Sequence, residues 1–183
     1  MNRKYIMFFC ILFYTASFVY SQDLGLSEEE MAAFNITVYI EKEQIPLDGL
    51  VTLDGQPYDS SVLRGNYVFL NMGATWCPYC NSEKPSIERL YSRYFTNVRF
   101  TVLVIYVNER VETARNYMQE GNYHFPATVD TTNRLREEYA PRIPATYLID
   151  PEGYIIARIN GYREWDSETA LRLIGRVLEN PAR

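Results

Sequence analysis

Residues 71–85 of the chain read NMGATWCPYCNSEKP, and this stretch decides the fold. The apolar run that precedes it, residues 67–70, predicts a buried strand. The apolar side chains that follow it are three and four residues apart, a spacing that predicts a helix: Ile87, Leu90, Tyr91 and Tyr94. Two cysteines, Cys77 and Cys80, therefore lie where a strand leads into a helix.

The position of Cys77 at the predicted helix start determines its chemistry. Pro78 suits the first helical position, because its fixed φ fits the helix and its missing N–H is not needed there. The helix dipole and the free N–H groups stabilise a thiolate at this end, so we expect the pKa of Cys77 to lie below that of a free cysteine. Cys80 lies within the first turn. The pair therefore suits thiol-disulfide exchange, in which Cys77 attacks and Cys80 resolves the mixed disulfide.

Length, composition and charge limit the function classes. The 183 residues and the hydrophobic fraction of 47% predict one domain with a substantial core. The formal net charge of −5 argues against a nucleic-acid partner, because no basic patch dominates the sequence.

The first 21 residues resemble a secretory signal peptide. Arg3 and Lys4 are followed by a nearly uncharged apolar run, residues 5–20, and by Ser21 before the expected cleavage point. The run is slightly shorter than the roughly 20 residues of a spanning helix, but an uncleaved membrane anchor stays open. Cys10 lies too early in the run for a lipid-attachment cysteine. We therefore expect export to a periplasm or to the cell exterior.

The cysteine count indicates redox chemistry. Of three cysteines, only Cys77 and Cys80 remain once the signal peptide is removed. The single histidine, His124, cannot complete a zinc site with them, and we expect no metal. A structural disulfide that encloses two residues would constrain the unfolded chain very little. Redox exchange is the better explanation for adjacent thiols in an exported protein.

The remaining sequence predicts alternating strands and helices. An N-terminal extension, residues 22–46, contains a capping box formed by Ser27 and Glu30 and a strand with Ile36, Val38 and Ile40. The further predicted strands are a hairpin at 50–58 and strands at 67–72, 100–107, 145–149 and 154–159. The further predicted helices lie at 111–121 and at 132–139, the second with Thr131 as its cap, and a last helix begins at Ser167. This order predicts an α/β fold with a central mixed sheet flanked by helices.

Two segments carry a family resemblance. Residues 76–80, WCPYC, resemble the active site of the thioredoxin fold, and residues 143–153 resemble its cis-proline loop and the following hairpin. Residues 69–71, Glu83 and Pro85, together with the export signal, more narrowly resemble the TlpA/ResA-like thiol-disulfide oxidoreductases. The similarity covers roughly residues 47 to 180. It implies a thioredoxin-like three-layer domain over residues 47–183, preceded by the extension.

The resemblance assigns roles to several residues. It implies a cis peptide bond at Pro144, and it places Ile143 where its backbone groups face an extended substrate segment. Glu83 lies three residues after Cys80 on one helix face, so a buried carboxylate there would have a raised pKa and would shuttle the proton of Cys80. An exposed helix glutamate is the alternative. Asn71 stands where thioredoxin carries a buried aspartate.

The residues beside Cys77 are expected to contact the substrate. Trp76, Pro78 and Tyr79 surround Cys77 in the sequence, and Trp76 either shapes client access or packs in the core. The Pro-Tyr centre resembles that of glutaredoxins and leaves the direction of electron flow open.

The function expected from these features is that of an exported thiol-disulfide oxidoreductase. Its clients would be cysteine-containing exported proteins, in cytochrome c maturation or thiol repair, and a membrane thiol-disulfide donor would re-reduce it. The redox-active disulfide Cys77–Cys80 would replace any cofactor. An alternative is a copper-binding chaperone that uses both thiols and His124. A peroxidase of the peroxiredoxin type is rejected, because Leu70 and Ala74 replace the Pro and Thr of the pattern Pro-x-x-x-Thr-x-x-Cys.

Overall fold

The structure is a computed structural model that describes residues 27–39, 41–96 and 99–179. The predicted signal peptide, Cys10 and residues 22–26 of the extension lie outside the described residues, as does Ile40. Within the described ranges, no helix combines the length and apolar character needed to cross a bilayer.

Five helices and seven strands build the described part of the domain. The helices are α1 (Glu28–Phe34), α2 (Pro78–Tyr94), α3 (Val111–Glu120), α4 (Arg134–Glu138) and α5 (Glu168–Glu179). The strands are β1 (Ile36–Val38), β2 (Val51–Thr52), β3 (Tyr67–Gly73), β4 (Phe100–Val107), β5 (Ala127–Asp130), β6 (Ala145–Ile149) and β7 (Ile155–Asn160). A 3₁₀ helix, Ser60–Leu63, precedes β3.

The strands form one mixed sheet, which confirms the predicted fold class. Its order is β1-β7-β6-β3-β4-β5-β2, with β3, β4 and β5 parallel and the other pairings antiparallel. All residues of β3 are buried, and β4 is buried except at Thr101. Such strands read as continuous apolar runs because side chains on both faces are covered.

The two faces of the sheet have separate cores. Phe69 of β3 lies in one cluster with Ile87 and Leu90 of α2 and with Leu173 of α5. Leu70, one residue after Phe69, lies in the other cluster, which includes Leu135 of α4 and side chains of the loop before β3. Because neighbouring residues of a strand point to opposite faces, β3 supports both layers.

One predicted element differs from the observed one, and one observed strand was not predicted. The helix expected over residues 132–139 spans only Arg134–Glu138, and its N-cap is Asn133 in the left-handed region (φ 65°) rather than Thr131. The Asp130 carboxylate accepts the N–H groups of Thr132 and Leu135 and so organises this turn. Strand β5 was not predicted, because four residues after a proline carry little periodic signal.

The other elements agree with the predictions apart from their ends. In α5 the Ser167 hydroxyl accepts the N–H of Ala170, which confirms the predicted start. The buried face of α5 consists of Ala170, Leu173, Ile174, Val177 and Leu178, whereas the predicted Leu171 is only half-buried. Helix α2 continues through Pro85 to Tyr94.

The described part of the N-terminal extension joins the sheet. The predicted capping box between Ser27 and Glu30 is present. Strand β1 pairs antiparallel with β7 and forms one edge of the sheet. The buried Phe34 ring meets the Trp165 ring edge-on at a centroid distance of 6.2 Å. The Arg163 guanidinium donates to the Phe34 carbonyl, at 2.6 Å from Nη2. The extension therefore packs on the segment that leads into α5.

We expect Phe34→Ala to lower the free energy of unfolding by about 3 kcal/mol, because it removes a buried aromatic side chain and leaves a cavity beside Trp165. Urea denaturation followed by tryptophan fluorescence measures the change. The exposed Glu29 on the same helix provides the control Glu29→Ala, which should change stability by less than about 0.5 kcal/mol. Equal stability of both variants would show that the extension does not contribute to the core.

Candidate active site

The junction between β3 and α2 places both cysteines as the sequence predicted. Cys77 is the N-cap of α2, with φ −92° and ψ 112°, and Pro78 occupies the first turn. The backbone N–H of Cys80 donates to Cys77 Sγ at 3.2 Å. The two sulfurs form a disulfide, so the structure shows the oxidised state. An N–H donor and the positive end of the helix dipole both face the sulfur that is to become a thiolate.

The two sulfurs lie at different depths. Cys77 is 5% exposed and Cys80 is fully buried. Trp76, Pro78 and Tyr79 around Cys77 are all exposed, Trp76 at 53% and Tyr79 at 68%. The core alternative for Trp76 is therefore wrong, and client contact by these three side chains stays a prediction. A partner can approach Cys77 but not Cys80.

The loop before β6 packs against the cysteine pair. The peptide bond between Ile143 and Pro144 is cis, as the resemblance implied. The Ile143 carbonyl oxygen lies 3.9 Å from Cys77 Sγ, and the half-buried Ile143 side chain packs on Ala74, Cys77 and Cys80. Backbone groups of this loop are therefore within reach of a chain segment bound at Cys77.

A cluster of buried polar groups lies beneath the disulfide. Asn71, Glu83 and Lys84 are each 0% exposed. Asn71 Nδ2 donates to Glu83 Oε1 at 2.8 Å, while Lys84 Nζ donates to Asn71 Oδ1 at 2.7 Å. The Asn71 amide thus bridges the acid and the base, with its oxygen towards the ammonium and its N–H towards the carboxylate.

Glu83 has two further features that suit an acid-base role. The buried indole of Trp165 donates to its second carboxylate oxygen, Oε2, at 3.2 Å. Burial raises the pKa of Glu83, and the charge of Lys84 and the hydrogen bonds from Asn71 and Trp165 oppose the shift. The exposed alternative for Glu83 is therefore wrong. Its role in shuttling the proton of Cys80 stays a prediction.

The sequence patterns did not predict that Lys84 and Trp165 belong to this site. Lys84 lies four residues after Cys80, a helical spacing that places both on one face, yet lysine is normally assigned to the surface. Burial lowers the pKa of Lys84 to about 8, while the neighbouring Glu83 opposes that shift. Trp165 lies 82 residues from Glu83 in the sequence, and no local signal links the two.

His124 lies apart from the cysteine pair. Its Nδ1 is 2.9 Å from Glu88 Oε1, and its side chain is 63% exposed. Glu88 lies eleven residues beyond Cys77 in the chain, which corresponds to about 16 Å along the axis of α2. Within residues 27–39, 41–96 and 99–179 there is no group of three or more His, Cys, Asp and Glu side chains arranged to hold a metal ion.

Comparison with known proteins identifies relatives of the same architecture. Residues 41–158 match the AhpC/TSA family. The thiol-disulfide oxidoreductase ResA of Bacillus subtilis is 30% identical over 109 residues, which cover 59% of this chain and 60% of that protein. The chain therefore spans about three fifths of the length of this relative. ResA of Halalkalibacterium halodurans is 30% identical over 127 residues, 68% of this chain and 72% of that protein.

A solved structure has the same fold. It is a thiol:disulfide interchange protein of the thioredoxin family from Chlorobium tepidum TLS, 29% identical in sequence. The superposition has a TM-score of 0.60 and covers 74% of this chain and 99% of that one. The predicted thioredoxin-like fold is thereby confirmed.

The buried Lys84 predicts a pH-dependent stability in the oxidised protein. Its pKa is about 8 in the folded state, below the ordinary lysine value of 10.5 that applies to the unfolded chain. At pH values between about 8 and 10.5, Lys84 is protonated in the unfolded chain and largely deprotonated in the folded chain. The free energy of unfolding therefore rises with pH in this range. We expect a rise of roughly 1–2 kcal/mol between pH 7.5 and 9.5 in urea denaturation.

The variant Lys84→Met isolates this contribution, because the rise should disappear with the titrating group. The exposed Lys42 supplies the control Lys42→Met, in which the free energy of unfolding should still rise with pH as in the wild type. Measurements stop near pH 9.5, because tyrosines with raised pKa values, such as Tyr117, have the opposite effect above pH 10. The same pH slope in wild type and Lys84→Met would contradict the assignment.

Proposed function

The chain belongs to the AhpC/TSA family, and from this membership and its Cys77–Cys80 pair we propose that it is a thiol-disulfide oxidoreductase. The observation that carries the proposal is the position of Cys77, which combines a helix N-terminus with access from solvent. The relatives named ResA and the interchange protein support the same reaction class.

Reduction of a client begins at Cys77. Its thiolate attacks one sulfur of the client disulfide, so a Cys77–client bond forms while the client's own S–S bond breaks. The released client sulfur leaves with the electron pair and takes a proton from solvent. The N–H of Cys80 and the helix dipole stabilise the attacking thiolate before this step.

Cys80 completes the exchange. Its thiol loses a proton to the Glu83 carboxylate, and the thiolate attacks Cys77 Sγ. The Cys77–Cys80 bond forms as the mixed disulfide breaks, and the client leaves as a thiolate. Glu83 returns its proton to solvent, and the client thiolate takes up a proton from solvent. Two electrons have then moved from the enzyme to the client. A thiol-disulfide donor must return them, and we assign this role to a membrane protein.

The site rim provides a binding surface for the client. The carbonyl of Ile143, beside the cis Pro144, faces Cys77 and can pair with an extended client segment. The exposed Trp76 and Tyr79, which are close to Cys77 in the sequence, offer apolar surface to a client. Such backbone pairing accepts many sequences, which suits clients that share only a cysteine.

The proposed setting is extracytoplasmic. The N-terminal pattern of residues 1–21 resembles a signal peptide, and a structural neighbour from Mycobacterium tuberculosis is described as a secreted disulfide oxidoreductase. Exported proteins with cysteines that must be kept reduced, including apocytochromes before haem attachment, are the clients that we propose.

We expect Cys77→Ser to reduce a protein disulfide only at the uncatalysed rate, because the nucleophile is lost. Insulin reduction in the presence of dithiothreitol measures the rate. Cys80→Ser is the matched variant, since it keeps Cys77 and, when its reduced form is mixed with insulin without dithiothreitol, should accumulate a mixed disulfide that mass spectrometry detects. A wild-type rate in Cys77→Ser would exclude Cys77 as the nucleophile.

We expect the full chain, expressed in a bacterium, to appear outside the cytoplasm with Gln22 as its N-terminus, because residues 1–21 are removed on export. Intact-mass measurement of the purified protein determines the cleavage point. A full-length product in the membrane fraction would instead support the uncleaved anchor. A full-length product in the cytoplasm would refute export.

A further inference from the structure

Lys84 is a buried cation that the proposed reaction leaves without a role. The sequence contains three lysines, Lys4, Lys42 and Lys84. Lys84 is 0% exposed, although it lies in the same helix as many solvent-facing residues. Burial of a charged amine is costly unless nearby groups compensate for the lost hydration. The arrangement therefore calls for an explanation beyond packing.

The amine and the resolving sulfur lie beside the same glycine. A Cβ atom placed on Gly73 would lie 3.3 Å from Cys80 Sγ and 3.4 Å from Lys84 Nζ. The sulfur and the nitrogen are therefore separated by at most about twice that distance. Because Gly73 has no side chain, both atoms can lie close to its Cα without a steric clash. A charge at this range acts strongly on a thiolate in the protein interior.

The charges of the cluster can remain balanced when a proton moves. Before the resolving step, the Lys84 ammonium is balanced by the Glu83 carboxylate through the Asn71 amide. When the Cys80 thiol gives its proton to Glu83, the thiolate becomes the negative partner of the same ammonium. The buried cluster thus keeps its net charge, which avoids an uncompensated charge in the core.

We propose that Lys84 is a positioning residue for the resolving cysteine, whose ammonium stabilises the Cys80 thiolate while Glu83 holds the displaced proton. This inference deepens the proposed function and rests on it. The bonds formed and broken are those of the resolving step described above, and Lys84 transfers no proton in that step.

Other charged or titratable groups surround the pair. The Tyr106 ring of β4 lies 5.8 Å from Lys84 Nζ, and Cys77 lies next to Cys80. Glu109, in the loop after β4, interacts with Tyr106, and Arg163 and Tyr162, in the loop before α5, interact with Glu83. These groups are the same in every variant below, so differences between variants report on the substituted groups.

The experiment separates the two cysteines in time. The reduced protein is mixed with one equivalent of 5,5′-dithiobis(2-nitrobenzoate). The first nitrothiobenzoate released reports attack by Cys77, and the second reports attack by Cys80 on the mixed disulfide. The rate constant of the second release is measured against pH, and its midpoint reports the ionisation of Cys80.

We expect Lys84→Met to raise this midpoint by about 1–2 pH units, which slows the second release at pH 7 by roughly 10- to 100-fold. The exposed Lys42 provides the matched control Lys42→Met, which should leave the midpoint unchanged. In the double variant Glu83→Gln/Lys84→Met the opposing negative charge is also removed, so the midpoint should return towards the wild-type value.

Gly73→Ala tests the geometry without removing a charge. The added methyl group would lie 3.3 Å from the sulfur and 3.4 Å from the amine, so these atoms must shift to make room for it and the midpoint should rise. This variant carries the test if Lys84→Met does not fold. A lower rate in the folded single variants with an unshifted midpoint would reduce Lys84 to a structural role and overturn the inference.

Failure of the proposed function gives a different result. If wild-type protein releases both nitrothiobenzoates but reduces no protein disulfide, the assigned reaction is wrong. The dependence of the midpoint on Lys84 would then still stand as a property of the cysteine pair.

Discussion

The end of β3 lies directly beneath the start of α2, and this contact determines the position of both sulfurs. β3 is a central strand, paired on both sides and buried along its whole length. Such a strand has little freedom to shift, because residues 68–72 pair with strands on both sides and alternate side chains pack into the cores on the two faces. The turn that follows must therefore present Cys77 at the N-terminus of α2. The reactivity of the first cysteine is in this sense a consequence of the packing of the sheet.

The buried cluster beneath the sulfurs is costly for stability. Asn71, Glu83 and Lys84 take polar and charged groups out of water, and such groups are rarely more stabilising than well-packed apolar residues. Their hydrogen bonds compensate for part of the cost. What the cluster provides in exchange is a pair of titratable groups whose pKa values burial moves towards neutrality in opposite directions. Groups of that kind suit proton transfer at physiological pH.

Much of the site could be predicted from the sequence because its signals are local. Cys77, Pro78 and Cys80 are contiguous with a strong strand and a strong helix, so the junction that they occupy follows from periodicity. The cis bond at Pro144 is different, since an isolated Ile-Pro dipeptide is most often trans and only the family resemblance implied it. Trp165 was beyond prediction, because its bond to Glu83 depends on how α5 packs on the sheet. Lys84 had a local signal, but the general preference of lysine for the surface outweighed it.

The difference in depth between the sulfurs supports the order that the proposed reaction gives them. A client disulfide is a bulky group, and only the sulfur of Cys77 lies near the surface, beside Trp76 and Tyr79. Cys80 is fully buried, so the proposed reaction assigns it no direct bond with a client. Among the residues that the structure describes, the cysteine next to it is Cys77, whose sulfur its own backbone N–H already contacts. The lifetime of the enzyme–client complex is then determined by how easily a fully buried thiol ionises. Solvent does not reach that sulfur, and the proposed reaction therefore assigns the stabilisation of its thiolate to the cluster of Asn71, Glu83 and Lys84.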